Sequence, residues 1–429
     1  MRSLTVAAVL MLSVLTGFLP TGPLAGRSGD ESSTQLAVKI IPSPDQTQCV
    51  QYRRTLVGPG VNQPNPYPGY EGFVGWAAVT RTKSGALLVT FSSGYWHASP
   101  PTEPQPPPAD FAETFKKLSG IDISTIKAPR GGRAEMIRSE DGGLNWSSPV
   151  VMIDTPEDDR SPAAVTLSDG TLVASLFTYQ ANEARTAIIR SSDDGKTWEP
   201  LPHYPDVPFP HSATDGPPLE LPDRSLILSV YGGDFQRRSL PEKNAILRSD
   251  DRGESWKCIA TLTAPYDLSE SSVARLRDGR LILVARPEGA VSWSSDEGRT
   301  WTEPARLPIR MADPWLLTLK DGTLLCVYLS YNKEHRGLRA ITSGDGGKTW
   351  NAAGPDYGFS IDPSVYGYSR GIQLPDGSIY IVYQGKGGHK WDDARHMSIY
   401  ALRFRVRNRG RGIELLPAPG SSGLSAMTH

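Results

Sequence analysis

Cysteine and histidine are scarce in this chain, with three and seven copies among 429 residues. Cys49, Cys258 and Cys326 are an odd number without metal-like spacing, so neither a disulfide framework nor a zinc site is expected. His389 and His396 are seven apart and read as surface or hydrogen-bonding residues. No cofactor is implied. Cys258 and Cys326 lie in strand-like text, Trp-Lys-Cys-Ile-Ala and Leu-Leu-Cys-Val-Tyr, and read as small buried apolar residues. Charge of one sign is missing too: the formal net charge is -1, which gives no reason to expect nucleic acid or an anionic membrane as partner. Long apolar runs are lacking except for Leu4 to Leu19, which follows a single Arg. That run is too short for a comfortable membrane span and suits a secretory signal peptide over residues 1–25, cleaved near Ala25. The protein is then secreted or periplasmic, with an uncleaved N-terminal anchor as the alternative.

Turn-forming residues, by contrast, are plentiful: 42 Gly and 37 Pro. They separate alternating Val/Ile/Leu/Thr/Tyr segments, which favours an all-β fold. One eight-residue pattern, Ser-x-Asp-x-Gly-x-x-Trp, occurs five times, beginning at Ser139, Ser191, Ser249, Ser294 and Ser343. The spacings of 52, 58, 45 and 49 residues mark one supersecondary unit reused. In each copy the Asp caps a turn, the Gly takes positive φ and the Trp packs back onto a sheet.

A second repeat interleaves with the first. Six tight turns of Asp-Gly type separate apolar runs at Ser84-Gly85, Asp169-Gly170, Asp223-Arg224, Asp278-Gly279, Asp321-Gly322 and Asp376-Gly377. Such turns are the strongest short hairpin signal. Six hairpins predict a six-bladed β-propeller of four-stranded antiparallel blades over residues 35–407. In each blade the first two strands flank the tight turn, and the eight-residue box links the third to the fourth. The last blade has strands near Ser378–Tyr383 and Met397–Arg405 but no box after them. Its fourth strand must therefore come from Gln35–Ile41 or Cys49–Leu56, closing the ring. The Arg/Gly/Pro/Ser-rich tail, residues 408–429, reads as disordered.

Strand direction puts tight turns and boxes on one face, leaving the other face for function. Nine residues back from each turn glycine (or Arg224) lies one rung of the innermost strands: Trp76, Ser161, Asp215, Glu270, Asp313 and Tyr368. Three carboxylates and a tyrosine around a central funnel, with Arg160 beside Ser161, are unusual where small apolar residues are expected. The structural alternative is a set of acids solvated in a wet channel.

The eight-residue pattern is identified as the Asp-box of sialidase-like β-propellers, where it serves the scaffold. At the rung the resemblance becomes residue-specific. Asp267-Leu-Ser-Glu270, with Arg286 ending the next strand, looks like the exo-sialidase stretch whose glutamate polarises a tyrosine nucleophile and whose arginine binds the substrate carboxylate. Tyr366-Gly-Tyr368-Ser369 resembles the segment that carries the nucleophile. The resemblance therefore implies Tyr368 as nucleophile and Glu270 as its activator, with Arg286 and either Arg336 or Arg339 on the substrate. Sialidases are known exceptions to the paired-carboxylate pattern of glycosidases. Guanidinium groups suit a carboxylate through bidentate bonds.

Two positions depart from the family. Gly75, in Val-Gly-Trp-Ala, stands where the first-blade arginine belongs, and Gln384 stands where its glutamate partner belongs. Arg160, Arg133 or Arg53/Arg54 are the candidates to rebuild the clamp. The general acid should sit in the Pro-rich insertion from about Gly94 to Arg133; Asp110, His97, Glu113 and Asp122 are its candidates. Trp76, Trp96, Trp315 and Trp391 are candidates for stacking on sugar rings. These residues favour a secreted exo-glycosidase acting on a terminal acidic sugar of a glycan or glycoconjugate. A propeller that only binds glycans or proteins, and a polysaccharide lyase using Tyr368 as base, are the alternatives. The products separate the three: a saturated monosaccharide, nothing, or an unsaturated sugar.

Overall fold

The structure is a computed structural model that describes residues 34–62, 73–94, 132–180, 183–234, 240–386 and 397–425, with scattered positions between 109 and 124. The leader, Asp110, His97, Trp96, Trp391, His389 and His396 lie outside the described residues. Six small antiparallel sheets form the blades of a β-propeller. Blade one spans Phe73–Ile153, blade two Asp158–Ser191, blade three His211–Leu262, blade four Ser269–Arg306, blade five Met311–Ala352 and blade six Ser369–Val406. Blade two has three strands, with one bridge from Ile188 to His203 in place of a fourth. Among the described residues no helix is long and apolar enough to cross a membrane.

Apolar residues run almost unbroken along the inner strands, as in Leu281–Ala285 and Leu324–Tyr328, so each sheet has two buried faces and packs against its neighbours. One cluster, for example, joins Trp315, Val327 and Leu338 of blade five to Ile379, Ile381 and Phe404 of blade six. Five Asp-boxes close the outer hairpins with one bond set. In every box the Ser hydroxyl donates to the Asp carboxylate at 2.8 Å. That same hydroxyl accepts the N–H of the box Gly at 2.8–3.0 Å. Tight turns and boxes share a face, as in the bonds from Ser84 Oγ and Arg138 Nη2 to Asp194, at 2.5 and 2.8 Å.

Both N-terminal segments are used, in different blades. Arg54–Val57 pairs antiparallel with the Ile399–Val406 strand and closes blade six. Ala37–Ile40 adds to the outer edge of blade five, parallel to Thr349–Ala352. Two expectations are corrected. The tail is not disordered throughout: Ile413–Leu416 forms a strand on Arg403–Val406, with Ile413 and Leu415 in the core. Gly410 and Gly412, at φ 91° and 144°, turn the chain for this hairpin, so the Gly-rich text is a connection rather than a linker. Cys258 is exposed, because its strand is the outermost of blade three and turns one face to solvent; Cys326 is buried.

Candidate active site

The rung residues meet because the inner strands are bulged there. The strand pairing shifts register between Gly75 and Ala78, Arg160 and Ala163, Ser269 and Ser272, and Ala312 and Trp315. The residue at each bulge takes a left-handed conformation: Trp76 at φ 48°, Ser161 at 54°, Glu270 at 40° and Asp313 at 46°. Non-glycine residues adopt this region at a cost of order 1–3 kcal/mol and persist there only where surroundings hold them. The holding groups come from neighbouring blades. Gln384 Oε1 accepts the Trp76 N–H at 2.7 Å, Ser92 Oγ that of Ser161 at 2.8 Å, and Glu270 Oε2 that of Asp313 at 2.8 Å. Asp313 Oδ2 accepts the Ser369 N–H at 2.9 Å. Pro162 and Pro314 fall inside two bulges, where a missing N–H removes no ladder bond.

At the funnel floor Tyr368 donates to Glu270 Oε1 at 2.5 Å. Arg286 also donates to Glu270 Oε1, and its Nη1 lies 3.4 Å from the tyrosine oxygen. Burial, followed by the adjacent Glu270, pushes the Tyr368 phenol well above its ordinary range, so it is held neutral. Burial disfavours the charge on Arg286, but Glu270 and Tyr368 outweigh it and the guanidinium stays protonated. Asp215 accepts from Ser161 Oγ at 2.9 Å and Tyr231 at 2.8 Å. Burial first, and Glu270 second, lift it to about 6. Burial also raises Asp313 well above the ordinary carboxylate range, although Arg370 Nη2 lies 2.7 Å from its Oδ1. One cavity is lined by Trp76, Ala77, Ser161, Asp215, Asp313, Tyr368 and Arg370.

The arginines expected beside Arg286 are elsewhere. Arg339 is fully buried and holds Asp45 with two 2.8 Å bonds, His335 O at 2.7 Å and Gly358 O at 3.1 Å; it ties the N-terminal segment to blade five. Arg336 is exposed, bonded to Lys333 O. Neither is placed beside Tyr368, so the predicted second arm of the clamp is corrected. Arg53 pairs with Asp362 and Arg133 with Asp154, while Arg54 binds backbone carbonyls at Gly143, Leu144 and Pro419. Arg160 is buried against Asp158 at 2.6 Å, behind the Phe73 and Trp76 rings. Gly75 does lie against Gln384: a Cβ there would meet Gln384 Oε1 at 2.5 Å and the Phe73 ring at 2.6 Å. Of the insertion's candidates, Asp122 is an exposed partner of Lys116. Trp315 is core, its Nε1 on Ser369 Oγ.

Sequence reasoning missed Arg370 and most of the funnel wall. Trp76 stands 6.3 Å from Tyr368 and 6.4 Å from Phe177, and Phe177 is 5.7 Å from Tyr179, between ring centres. Arg286 lies over Tyr331 at 5.8 Å. A signal existed: seven residues forward from the turn position lie Phe177, Tyr231, Arg286 and Gln384, at the end of each second strand beside the rung. Glu242, from the loop before blade three's third strand, is lifted to about 7 by burial and by Asp267.

Residues 136–381 match the BNR repeat-like domain family, and the chain belongs to it. A sialidase of Bacteroides fragilis (strain YCH46) is 29% identical over 306 residues, covering 63% of this chain and 55% of that protein. A xyloglucanase of a Paenibacillus species is 25% identical over 232 residues, covering 47% and 21% respectively. The chain thus spans about half or less of these relatives' length. Among solved structures, the intramolecular trans-sialidase from Ruminococcus gnavus, in complex with oseltamivir carboxylate, superposes with a TM-score of 0.57 at 13% identity, covering 81% of this chain and 98% of that one. The protein is a sialidase-like β-propeller of the BNR repeat family.

Proposed function

We propose that the protein is an exo-acting glycoside hydrolase that removes a terminal sugar through Tyr368 and Glu270. The observation that carries this is the Glu270–Tyr368–Arg286 contact at the funnel floor. In the first step the Tyr368 oxygen bonds to the anomeric carbon while the glycosidic C–O bond breaks. The phenolic proton passes to Glu270, and Arg286 steadies the developing charge. An acid must protonate the leaving oxygen, and Asp110 keeps that role as the expectation from sequence. Water then attacks the same carbon, giving a proton to the acid that protonated the leaving oxygen; the bond from that carbon to the Tyr368 oxygen breaks, Glu270 returns its proton to the tyrosine, and the sugar is released. A neutral tyrosine avoids the repulsion that a carboxylate nucleophile would feel beside Glu270. The named activities of the sialidase and xyloglucanase relatives support a glycan substrate. The apolar run Leu4 to Leu19, read as a secretory signal, supports export.

The test is Tyr368→Phe, assayed by chromatography of sugars released from a glycan panel. Turnover should fall by about 10³-fold or more with little change in melting temperature, since the ring stays packed. Near-wild-type release by the variant would end the assignment, and an unsaturated product absorbing in the ultraviolet would replace hydrolysis with elimination.

A further inference from the structure

On the reading of this site as a sugar subsite, we infer that Gln384 is a positioning residue. It holds Trp76 in the funnel beside Tyr368, as the face against which the terminal sugar packs. Gln384 ends the second strand of blade six and is buried. Its side chain crosses to blade one, where Oε1 accepts the Trp76 N–H at 2.7 Å, while Nε2 donates to Lys386 O at 3.0 Å. Its backbone N–H donates to Tyr368 O at 3.1 Å. One residue thus touches both the tryptophan and the nucleophile's backbone, across the seam between the first and last blades.

The Gln384 side chain lies between two glycines. A Cβ on Gly75 would meet its Oε1 at 2.5 Å, and one on Gly367 would collide with its Cγ. Neither glycine takes a positive φ, so both supply room rather than conformational freedom. Trp76 does take one, 48°, in a region that bulky residues rarely adopt. The backbone conformation sets the direction of the Cα–Cβ bond, so the bond from Gln384 also aims the indole. That ring is partly exposed, lines the cavity with Tyr368 and stands 6.3 Å from the tyrosine ring between centres. An indole face takes the C–H side of a sugar ring, whatever charge the sugar carries elsewhere. Losing the side-chain bond should therefore weaken sugar binding, while the main-chain bond to Tyr368 keeps the nucleophile in place.

The experiment uses the full chain labelled with 5-fluorotryptophan, the Trp76 fluorine signal being assigned by its loss in Trp76→Phe. Gln384→Asn is one methylene too short to reach the Trp76 N–H, and it should shift or broaden that signal. Gln384→Glu keeps the acceptor and, as the neutral acid, the donor; below about pH 5 it should restore the signal. Kinetics are read on 4-methylumbelliferyl glycosides of sialic acid, xylose and arabinose. Gln384→Asn should raise KM about tenfold with kcat within about threefold of wild type, and Gln384→Glu should bring KM back. Trp76→Ala should raise KM as much, and adding Gln384→Asn to it should do nothing further, since both act through one ring. Loss of stability alone would move neither KM nor the Trp76 signal of the folded protein. An unmoved signal, effects that add in the double variant, or a loss in kcat in place of KM would overturn the inference. If the wild type hydrolyses none of these glycosides, the hydrolase reading suffers, and the fluorine signal still decides whether Gln384 holds Trp76.

Discussion

The five Asp-box tryptophans look equivalent in sequence, and their surroundings rank them. Trp350 is fully buried, its Nε1 bonded to Gly347 O at 2.9 Å and its ring in one cluster with Val291, Tyr328 and Ile341. Trp198 is partly exposed, and its Nε1 points to Met136 Sδ at 3.4 Å instead of a box carbonyl. Removing a large buried ring leaves a cavity as well as lost transfer energy. Trp350→Ala should therefore destabilise by about 3–5 kcal/mol, and Trp198→Ala by roughly half as much. Urea unfolding of both variants checks the ranking. Equal losses would mean that the turn geometry, not ring burial, sets the worth of the box.

Among the elements, the hairpins were the most legible part of the chain, because Asp-Gly chemistry is local. Gly85, Gly170, Gly279, Gly322 and Gly377 all take φ between 82° and 101° at their turns. Arg224 occupies the same place at φ 70°. A side chain there costs about 1–2 kcal/mol relative to glycine, offset in part by the extra freedom glycine brings to the unfolded chain. Arg224→Gly should thus stabilise by about 0.5–1 kcal/mol in denaturant melts; a loss of stability would show that the Arg224 side chain makes up for the strain. Counting back from these turns also located Trp76, Glu270, Asp313 and Tyr368, since strand length fixes the rung. The bulges at Trp76 and Asp313 are held by bonds from other blades, so beyond Pro314 they left no local mark. For the same reason Arg339 could not be told from a substrate ligand: its partner Asp45 lies 294 residues away. The strand Ile413–Leu416 was hidden by four residues of apolar alternation inside glycine-rich text.

For the molecule as a whole, the funnel that binds is also the place where folding is charged unfavourably. Burial raises Asp159 and Glu242 to about 7 and Asp215 to about 6. Each binds its proton more tightly in the folded state, so its contribution is full below pH ~4 and is lost as pH rises through 6 to 7. Buried His211, depressed to about 3, acts oppositely, since only the unfolded chain takes up its proton near pH 6.5. Three carboxyls outweigh one imidazole. Far from the funnel, Asp169, Asp193 and Asp223 are held at about 2, chiefly by bonds from Arg252, Thr197 and Ser225, and their contribution is lost only in strong acid. The melting temperature should therefore rise as pH falls from about 7.5 to 5.5, then drop below about 4. Asp159→Asn, which keeps an acceptor for the Thr155 N–H (2.7 Å to Asp159 Oδ2), should flatten the upper slope. Melting temperatures that decline steadily from pH 7.5 downward, in wild type and variant alike, would show that these acids are ionised in the folded ring without penalty, and the funnel would then have to be wetter than its burial indicates.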